Sequence, residues 1–405
     1  MKVAFSDGEK IGVYDGEKTR YFESEAIVRY KEYVSESHRN DEWKFGGEGA
    51  KFRGDYDVYR ARQEKVTAYV NGVLLEGNCV VYTFTVNNSS GAYRKDFTDE
   101  KRREEHIYTS SDCEFLSLAQ GENKYYVTVR RDPITSDIGA LSARETELET
   151  FTSGDSRDAN PYPSPVDRDL IFFDSAGVGR DAQGNFTGTY APACLYTLRQ
   201  TSQEIEEFFG DGKNSYIKPK QAKNGTVYCI KRPNKEKRGG NPFLEILLIP
   251  VRIVQAIASF LQAFVQIFTG KSLTSGGNNP AKGREVDSRK MLVDGNLIEA
   301  EKEYKRNQKF KDKEYGFIPL SWKLVKIKDG KAEEVESGVC DFSLDGEGGV
   351  YYTNGKHVFY LKEGKKKKIA DTDCCLALSA SEGDDFVLPA EETKSEKDEE
   401  KDTFF

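Results

Sequence analysis

The sequence predicts an all-β protein, a β-propeller of about six four-stranded blades with a helical insertion in one late blade. Three observations lead to this prediction. Short aromatic and β-branched runs of strand length recur along the 405 residues, each bounded by turns rich in Asp, Asn, Gly or Pro. The clearest units are roughly 40 to 65 residues apart, a period typical of propeller blades rather than solenoids. Aromatic residues make up 12% of the chain, which suits many half-buried strands. Seven blades is the alternative count.

The clearest unit is residues 343–371, SLDGEGGVYYTNGKHVFYLKEGKKKKIAD. The runs GGVYYT and HVFYLK have strand character, and NGK between them is a strong hairpin-turn signal. EGKKKK then leads into a third strand. We interpret the lysine run as a solvated edge strand, where charge discourages pairing with other sheets, in preference to a nucleic-acid patch.

The same unit recurs with variations along the chain. The copies are LLEGNCVVYTFTVNN at 74–88, LAQGENKYYVTVRRD at 118–132, NPYPSPVDRDLIFFDSAG at 160–177 with ACLYTLRQ at 193–200, and KPKQAKNGTVYCIKRP at 218–233. A shorter series, VAFSDGEKIGVYDGEKTRYF, occupies residues 3–22. Because a ring of blades must close, we expect residues 374–389 to supply a strand to the N-terminal blade.

One of these units resembles the blade signature of a known family. In TolB-like, WD-repeat-like β-propellers, a Pro-Ser-Pro-Asp-Gly turn precedes an apolar strand, and the next strand carries an aromatic residue. NPYPSPVDRDLIFFDS is similar to that signature, with Val166-Asp167 in place of Asp-Gly, and LYTL supplies the aromatic residue. The resemblance implies a propeller that binds proteins through loops on one face. It does not imply the periplasmic setting of TolB.

Two insertions and a tail complete the predicted organisation of the chain. The propeller covers 1–389 and includes a partly helical, Gly-rich insertion at 25–60. The strand NGTVYCIKRP is expected to pair with LSWKLVKIKDG in 320–338, which leaves 234–316 as an insertion between two strands of one blade. A connection of this length is usually functional or disordered. The charged tail 390–405 lacks core formers and is predicted to be disordered.

The second insertion contains an apolar helix, predicted over 251–269. Its polar residues recur in steps of three and four, which places them on one narrow face. Full burial of each large apolar side chain is worth about 1.5–3 kcal/mol, so the opposite face strongly favours being covered. Six apolar residues are the candidate anchors for a membrane surface or a partner: Ile253, Ile257, Phe260, Leu261, Phe264 and Phe268.

Three covers for this helix are open. The propeller or the rest of the insertion can cover it, and the chain would then be a purely structural propeller. An anionic membrane surface is favoured by the basic run KRPNKEKRGG before the helix. A groove on a partner protein, or a second copy of the chain, is the third cover. A simple transmembrane span is disfavoured, because the insertion must return to the blade it leaves.

Little in the sequence points to chemistry. His38, His106 and His357 have no second ligand at metal-binding spacing, and no GxSxG elbow occurs. We interpret the glycine-rich stretches 46–54 and 175–186 as loops rather than phosphate-binding motifs. The net charge of −8 argues against nucleic-acid binding. We therefore expect no catalytic residue, no metal and no cofactor.

The sequence thus predicts a non-enzymatic interaction scaffold whose insertion presents an apolar helix to a membrane surface or a protein partner. An enzyme acting on a carbohydrate or small ester at the central channel is the alternative function. The N-terminus shows no signal peptide, and the seven cysteines show no CxxC spacing. Both features favour the cytoplasm, with association at the inner membrane face if the helix binds lipid. The sequence leaves the oligomeric state open.

Overall fold

Within each blade, neighbouring strands pair in an antiparallel order, which gives six sheets with four blade strands each, arranged as a propeller. The computed structural model describes residues 2–45, 68–87, 89–96, 103–142, 147–234, 290–293, 296–309, 314–328, 330–346 and 348–380. The predicted propeller of six four-stranded blades is confirmed.

The first three blades occupy the N-terminal part of the chain. Blade 1 contains β1 (Val3–Asp7), β2 (Lys10–Tyr14) and β3 (Thr19–Glu23), and its innermost strand is β27 (Leu378–Ala380). Blade 2 contains β4 (Ala68–Glu76), β5 (Cys79–Val86), β6 (Ser89–Asp96) and β7 (Glu105–Ser110). Blade 3 contains β8 (Glu114–Gln120), β9 (Lys124–Arg130), β10 (Asp137–Ser142) and β11 (Leu148–Thr150).

The other three blades follow in chain order. Blade 4 contains β12 (Ser156–Pro163), β13 (Leu170–Arg180), β15 (Cys194–Arg199) and β16 (Ile205–Phe209), with β14 (Phe186–Tyr190) beside β13. Blade 5 contains β17 (Asn214–Gln221), β18 (Val227–Pro233), β21 (Lys323–Lys328) and β22 (Lys331–Ser337). Blade 6 contains β23 (Asp341–Leu344), β24 (Val350–Thr353), β25 (His357–Lys362) and β26 (Lys365–Asp371).

The two ends of the chain close the ring. The strand β27 pairs with β1, with Val3 opposite Ala380 and Phe5 opposite Leu378. The predicted contribution of the segment that begins at residue 374 to the N-terminal blade is therefore confirmed. Such a join holds the first and last blades together through backbone hydrogen bonds, so the ring has no open edge between them.

Apolar side chains between neighbouring blades form the core. Tyr82, Phe115, Phe172 and Phe359 are fully buried or nearly so, and each comes from one of the three inner strands of its blade. The first turn of the helix α1 (Glu25–Phe45) places Ile27 in the core between blades 1 and 2. The helix confirms that the 25–60 insertion is partly helical; residues 46–60 lie outside the described part of the chain.

Two prolines and one glycine-rich stretch lie in strands. Pro161 and Pro163 both belong to β12, the innermost strand of blade 4. Proline is tolerated there because β12 carries a bulge between Ala159 and Tyr162, where ladder hydrogen bonds are interrupted. The stretch 175–186 was interpreted as a loop, but β13 continues to Arg180 and pairs with β14.

The antiparallel order fixes which connections share a face of the disc. Connections from the first to the second strand of a blade, and from the third to the fourth, lie on one face, which we call the mouth face. Connections from the second to the third strand, and from one blade to the next, lie on the other, which we call the insertion face. The long segment between β18 and β21 therefore leaves and rejoins the propeller at the insertion face. Ala380 ends β27 at the mouth face.

Candidate functional site

Two regions are candidates for function: the insertion in blade 5 and the central channel. The predicted anchors of the insertion all lie between residues 253 and 268, outside the described residues. What the structure does describe is how the insertion is attached. The strands β18 and β21 pair directly, with Val227 opposite Ile327 and Lys231 opposite Lys323. This is the pairing that the sequence predicted.

The returning part of the insertion is fastened to the propeller. It contains the hairpin of β19 (Lys290–Val293) and β20 (Asn296–Glu299), followed by α2 (Ala300–Asn307). Ile298 is buried in the same apolar cluster as Trp322 and Phe359. The amide of the buried Asn307 donates to the carbonyl oxygens of Gly316 and Ile318, both at 2.9 Å.

This attachment continues onto blade 6. The amide of Asn354 donates to the Glu314 carbonyl at 3.2 Å. A Cβ atom on Gly316 would lie 1.9 Å from the Asn354 carbonyl oxygen, so only glycine fits there. A Cβ atom on Gly355 would lie 2.5 Å from the ring of Phe317. The insertion therefore ends on a tightly packed joint between blades 5 and 6.

The central channel is the other candidate site. The six innermost strands surround a cavity of about 1020 Å³ that opens on the mouth face. A cavity of this volume is at the upper end of the range for ligand pockets. The innermost strands of blades 2 to 5 each carry a register shift, which brings Asn71, Ser117, Asn160 and Lys218 to the wall of the cavity.

Three charged side chains meet in the wall of the channel. The ammonium nitrogens of Lys218 and Lys220 each lie 3.6 Å from Oδ1 of Asp341. The other oxygen of Asp341 accepts a hydrogen bond from the Leu378 main-chain N–H at 2.9 Å. Lys220 also donates to the Phe342 carbonyl. Burial lowers the pKa of Lys220, and the Asp341 carboxylate opposes that effect.

Two ion pairs lie at the mouth, which Glu147 also lines. Lys124 lies 3.2 Å from Glu149, and Arg168 lies 3.0 Å from Glu122. Exposed pairs of this kind contribute little to stability. The cavity lining includes no histidine within the described residues. His357 lies on blade 6, with Nδ1 2.7 Å from Asp371, and His106 contacts Thr109 on blade 2.

The sequence interpretation missed Lys218 and Lys220. It identified KPKQ only as the opening of another unit, and these residues lie in β17. A signal was present: a polar residue followed by proline occurs in ANPYP and again in IKPKQ, at equivalent places in two units. Asn160 and Lys218 both have a φ of 54°, a left-handed conformation that costs energy for a residue other than glycine.

Within the described residues, no cluster of potential metal ligands occurs. Among the described helices, none has the length and apolarity needed to cross a bilayer. All seven cysteines carry free thiols.

Comparison with known proteins gives a resemblance at the level of the fold. No protein-family model matches the sequence, and no curated protein does so either. Among solved structures, TolB from Acinetobacter baumannii is 8% identical over 93% of this chain, with a TM-score of 0.48. A prolyl endopeptidase structure is 10% identical over 92% of the chain, with a TM-score of 0.39. A puromycin-hydrolyzing peptidase of Mycobacterium tuberculosis is 10% identical over 78%, with a TM-score of 0.38.

This chain spans 66% of the TolB structure, 41% of the endopeptidase and 40% of the puromycin-hydrolyzing peptidase. The predicted fold-level resemblance to TolB-like propellers is confirmed. At this level of identity and similarity, the comparisons concern the fold and carry no argument about activity.

Proposed function

We propose that this propeller is a non-catalytic interaction scaffold, and that the insertion in blade 5 presents an apolar helix to a membrane surface or a protein partner. The observation that carries the proposal is the direct pairing of β18 with β21, which completes the four-stranded blade without the insertion. A long segment that the blade does not need for its own hydrogen bonding is a candidate for a separate role.

The attachment of the insertion supports the same proposal. Its return is fixed by Ile298, Asn307 and Phe317, all of which are buried. A segment tethered to one face of a rigid disc is positioned for binding, because function often resides on connections held by a stable scaffold. The sequence between the tethers contains the six apolar anchors from Ile253 to Phe268.

Of the two external covers, the charge pattern favours an anionic membrane surface. The segment 231–240 carries five basic residues and one acidic residue directly before the apolar stretch. Basic residues next to an apolar helix add electrostatic attraction to anionic lipid, at about 1 kcal/mol for each one near the surface. We propose a cytoplasmic protein that associates with the inner face of the membrane through this helix.

The enzyme alternative receives no support from the channel. A hydrolytic site for a carbohydrate or small ester needs free carboxylates or a nucleophile beside a base. Glu122 and Glu149 at the mouth are ion-paired, and Asp341 is held by two lysines and a main-chain N–H. Glu147 is the one further carboxylate among the described lining residues, whereas a glycosidase site needs a pair. We therefore propose association rather than a reaction.

Flotation of the full-length protein with lipid vesicles tests the proposal. Vesicles of phosphatidylcholine with phosphatidylserine are compared with phosphatidylcholine alone. The wild type should float with the anionic vesicles, and Phe260→Glu/Phe264→Glu should lose most of that binding. Gln262→Glu/Gln266→Glu is the matched control, because it adds the same two charges to the predicted polar face. It should retain at least half of the binding.

The other outcomes separate the remaining covers of the helix. If circular dichroism shows that Phe260→Glu/Phe264→Glu unfolds the protein, the helix belongs to the core and the proposal is wrong. If both variants fold and the wild type binds no vesicle, the hypothesis of membrane binding is wrong. Light scattering of the wild type and the phenylalanine variant then tests for a second copy as the cover.

A further inference from the structure

The innermost strands of blades 2 to 5 each carry a bulge, and the residue at the bulge differs in blade 5. At the bulges of blades 2, 3 and 4 a polar side chain is used to hold the fold. Asn71 donates to Thr85 at 2.7 Å, Ser117 lies 2.7 Å from the Thr128 hydroxyl, and Asn160 donates to Asp174 at 2.8 Å. The equivalent residue of blade 5 is Lys218.

At Lys218 the main-chain N–H makes the hydrogen bond to the neighbouring blade. Its N–H donates to Asp174 at 2.8 Å, just as the N–H of Asn160 donates to Thr128 at 2.9 Å. The ammonium group is directed instead toward Asp341 across the wall. Lys218 also donates from its ammonium group to the Leu376 carbonyl oxygen at 3.5 Å, while its main-chain N–H makes the inter-blade hydrogen bond. Its strained backbone conformation is the kind found at functional positions.

The accessible charge in this wall is positive. Lys220 is the most exposed of the three side chains, at 19%, against 10% for Lys218 and 9% for Asp341. One of its oxygens is occupied by the Leu378 N–H, and the other faces two ammonium groups at 3.6 Å. Charge-assisted hydrogen bonds are shorter, about 2.7–2.9 Å. Of the three donors on Lys220, one goes to the Phe342 carbonyl and a second faces Asp341, which leaves the third for another anion.

We propose that Lys218 and Lys220 form a carboxylate-binding site in the central channel, open to ligands from the mouth face. A carboxylate between the two ammonium groups would relieve the repulsion of like charges held in a partly buried wall. The ligand class is a molecule or peptide that bears carboxylates, with Lys220 as the more accessible contact.

The chain itself is one source of such a ligand. Residues 381–405 contain ten acidic and three basic residues. They follow Ala380, which lines the same cavity and donates to Ser343 at 3.0 Å. Glu382, Asp384 and Asp385 are two to five residues beyond it, within about 7–17 Å of extended chain. The second source is a free carboxylate, and the two are separated by experiment.

Titration calorimetry with citrate on the full-length protein tests the site. The background chain is Glu382→Gln/Asp384→Asn/Asp385→Asn, which removes the nearest carboxylates of the chain itself. Citrate should bind this chain, and adding Lys220→Met should weaken binding at least tenfold. Lys124→Met is the matched control, because Lys124 lines the same cavity but is paired with Glu149. It should change the affinity less than twofold.

The same titration identifies the source of the ligand. If citrate binds the wild type at least threefold more weakly than the background chain, the acidic segment competes for the site. Equal affinities mean that a free carboxylate is the ligand. If Lys220→Met fails to fold, Lys220→Met/Asp341→Asn removes the stranded carboxylate and should also abolish binding. No citrate binding to either chain, or unchanged binding in the chains that carry Lys220→Met, would overturn the proposal.

Discussion

Blades 5 and 6 are neighbours with the same four-stranded order, yet they are built very differently. Blade 6 runs from Asp341 to Asp371 with short turns throughout. Blade 5 is interrupted after Pro233, and its third strand begins only at Lys323. Both sheets nevertheless pair in the order expected for a propeller. Strand patterning therefore specifies the blade, whereas the segment between Pro233 and Lys323 is an addition that needs an explanation of its own.

The largest expected loss of stability is in the core of blade 6. Phe359 is fully buried among Tyr352, Leu324 and Trp322. Phe359→Ala should lower the free energy of unfolding by about 3–5 kcal/mol, because it removes apolar contacts and leaves a cavity. Phe260→Ala in the insertion should change it by less than about 0.5 kcal/mol. Urea unfolding followed by circular dichroism measures both.

Equal losses in those two variants would mean that the apolar helix is part of the propeller core. That result would favour the internal cover and contradict the interaction scaffold. Phe208→Ala is a second control for the loss of a phenylalanine ring, since Phe208 is 40% exposed on the edge of blade 4 and should cost less than Phe359→Ala.

A smaller effect is expected at the joint between the two blades. Gly316→Ala places a Cβ atom against the Asn354 carbonyl oxygen. The neighbouring backbone must move, and we expect a loss of about 2–3 kcal/mol in the free energy of unfolding. Gly177→Ala is the matched control, because its Cβ would meet only Ala191 at 3.9 Å. If Gly316→Ala is as well tolerated as the control, the insertion is not packed against blade 6.

A smaller loss of stability is expected when the Asn307 side chain is removed from the same joint. Asn307→Ala removes the donor to the Gly316 and Ile318 carbonyls. An expected cost of about 1–2 kcal/mol follows from leaving buried acceptors without a partner. Gln308→Ala, at the exposed neighbouring position, should cost less than about 0.5 kcal/mol. Thermal unfolding of the two variants side by side gives the difference.

The smallest expected effect concerns the turn that enters blade 5. Partial burial raises the pKa of Asp211, but hydrogen bonds from Asn214, Lys213 and Tyr216 outweigh it and bring the pKa to about 2. A depressed folded-state pKa stabilises the protein above the ordinary value near 4. That stabilisation is lost as the pH falls toward 2.

Asp211→Ala should therefore cost about 1 kcal/mol at pH 7, a figure reduced for solvent screening at this exposed turn. The difference from the wild type should shrink progressively between pH 4 and pH 2 in urea titrations. A difference that stays constant over that range would show that the carboxylate charge is irrelevant to the turn.

The sequence predicted the apolar strands of the blades but not the innermost ones. The strand β24 is buried throughout, as are Ile171–Asp174 in β13 and Val358 and Phe359 in β25, so these sequences contain apolar runs bounded by clear turns. The strands β12 and β17 face a polar channel and carry bulges with prolines, so SRDANPYP and NSYIKPKQ lack the apolar pattern of a strand.

The candidate sites divide in the same way. Amphipathic periodicity is a local property, and it identified the apolar helix from 251–269. The cluster of Lys218, Lys220 and Asp341 joins residues more than 120 positions apart, and only the closed ring brings them together. A single sequence contains no local signal for a juxtaposition of that kind.

The central claim is that the propeller is complete without the segment between its two tethers. The most direct measurement is the thermal unfolding midpoint of a chain in which residues 235–289 are replaced by a flexible Gly/Ser linker of about 12 residues, long enough to span roughly 20 Å. This chain retains β19, β20 and α2. A cooperative transition within about 2 °C of the wild type is the predicted result. A fall of more than about 10 °C, or loss of the cooperative transition, would mean that the segment is part of the propeller core and would contradict the account.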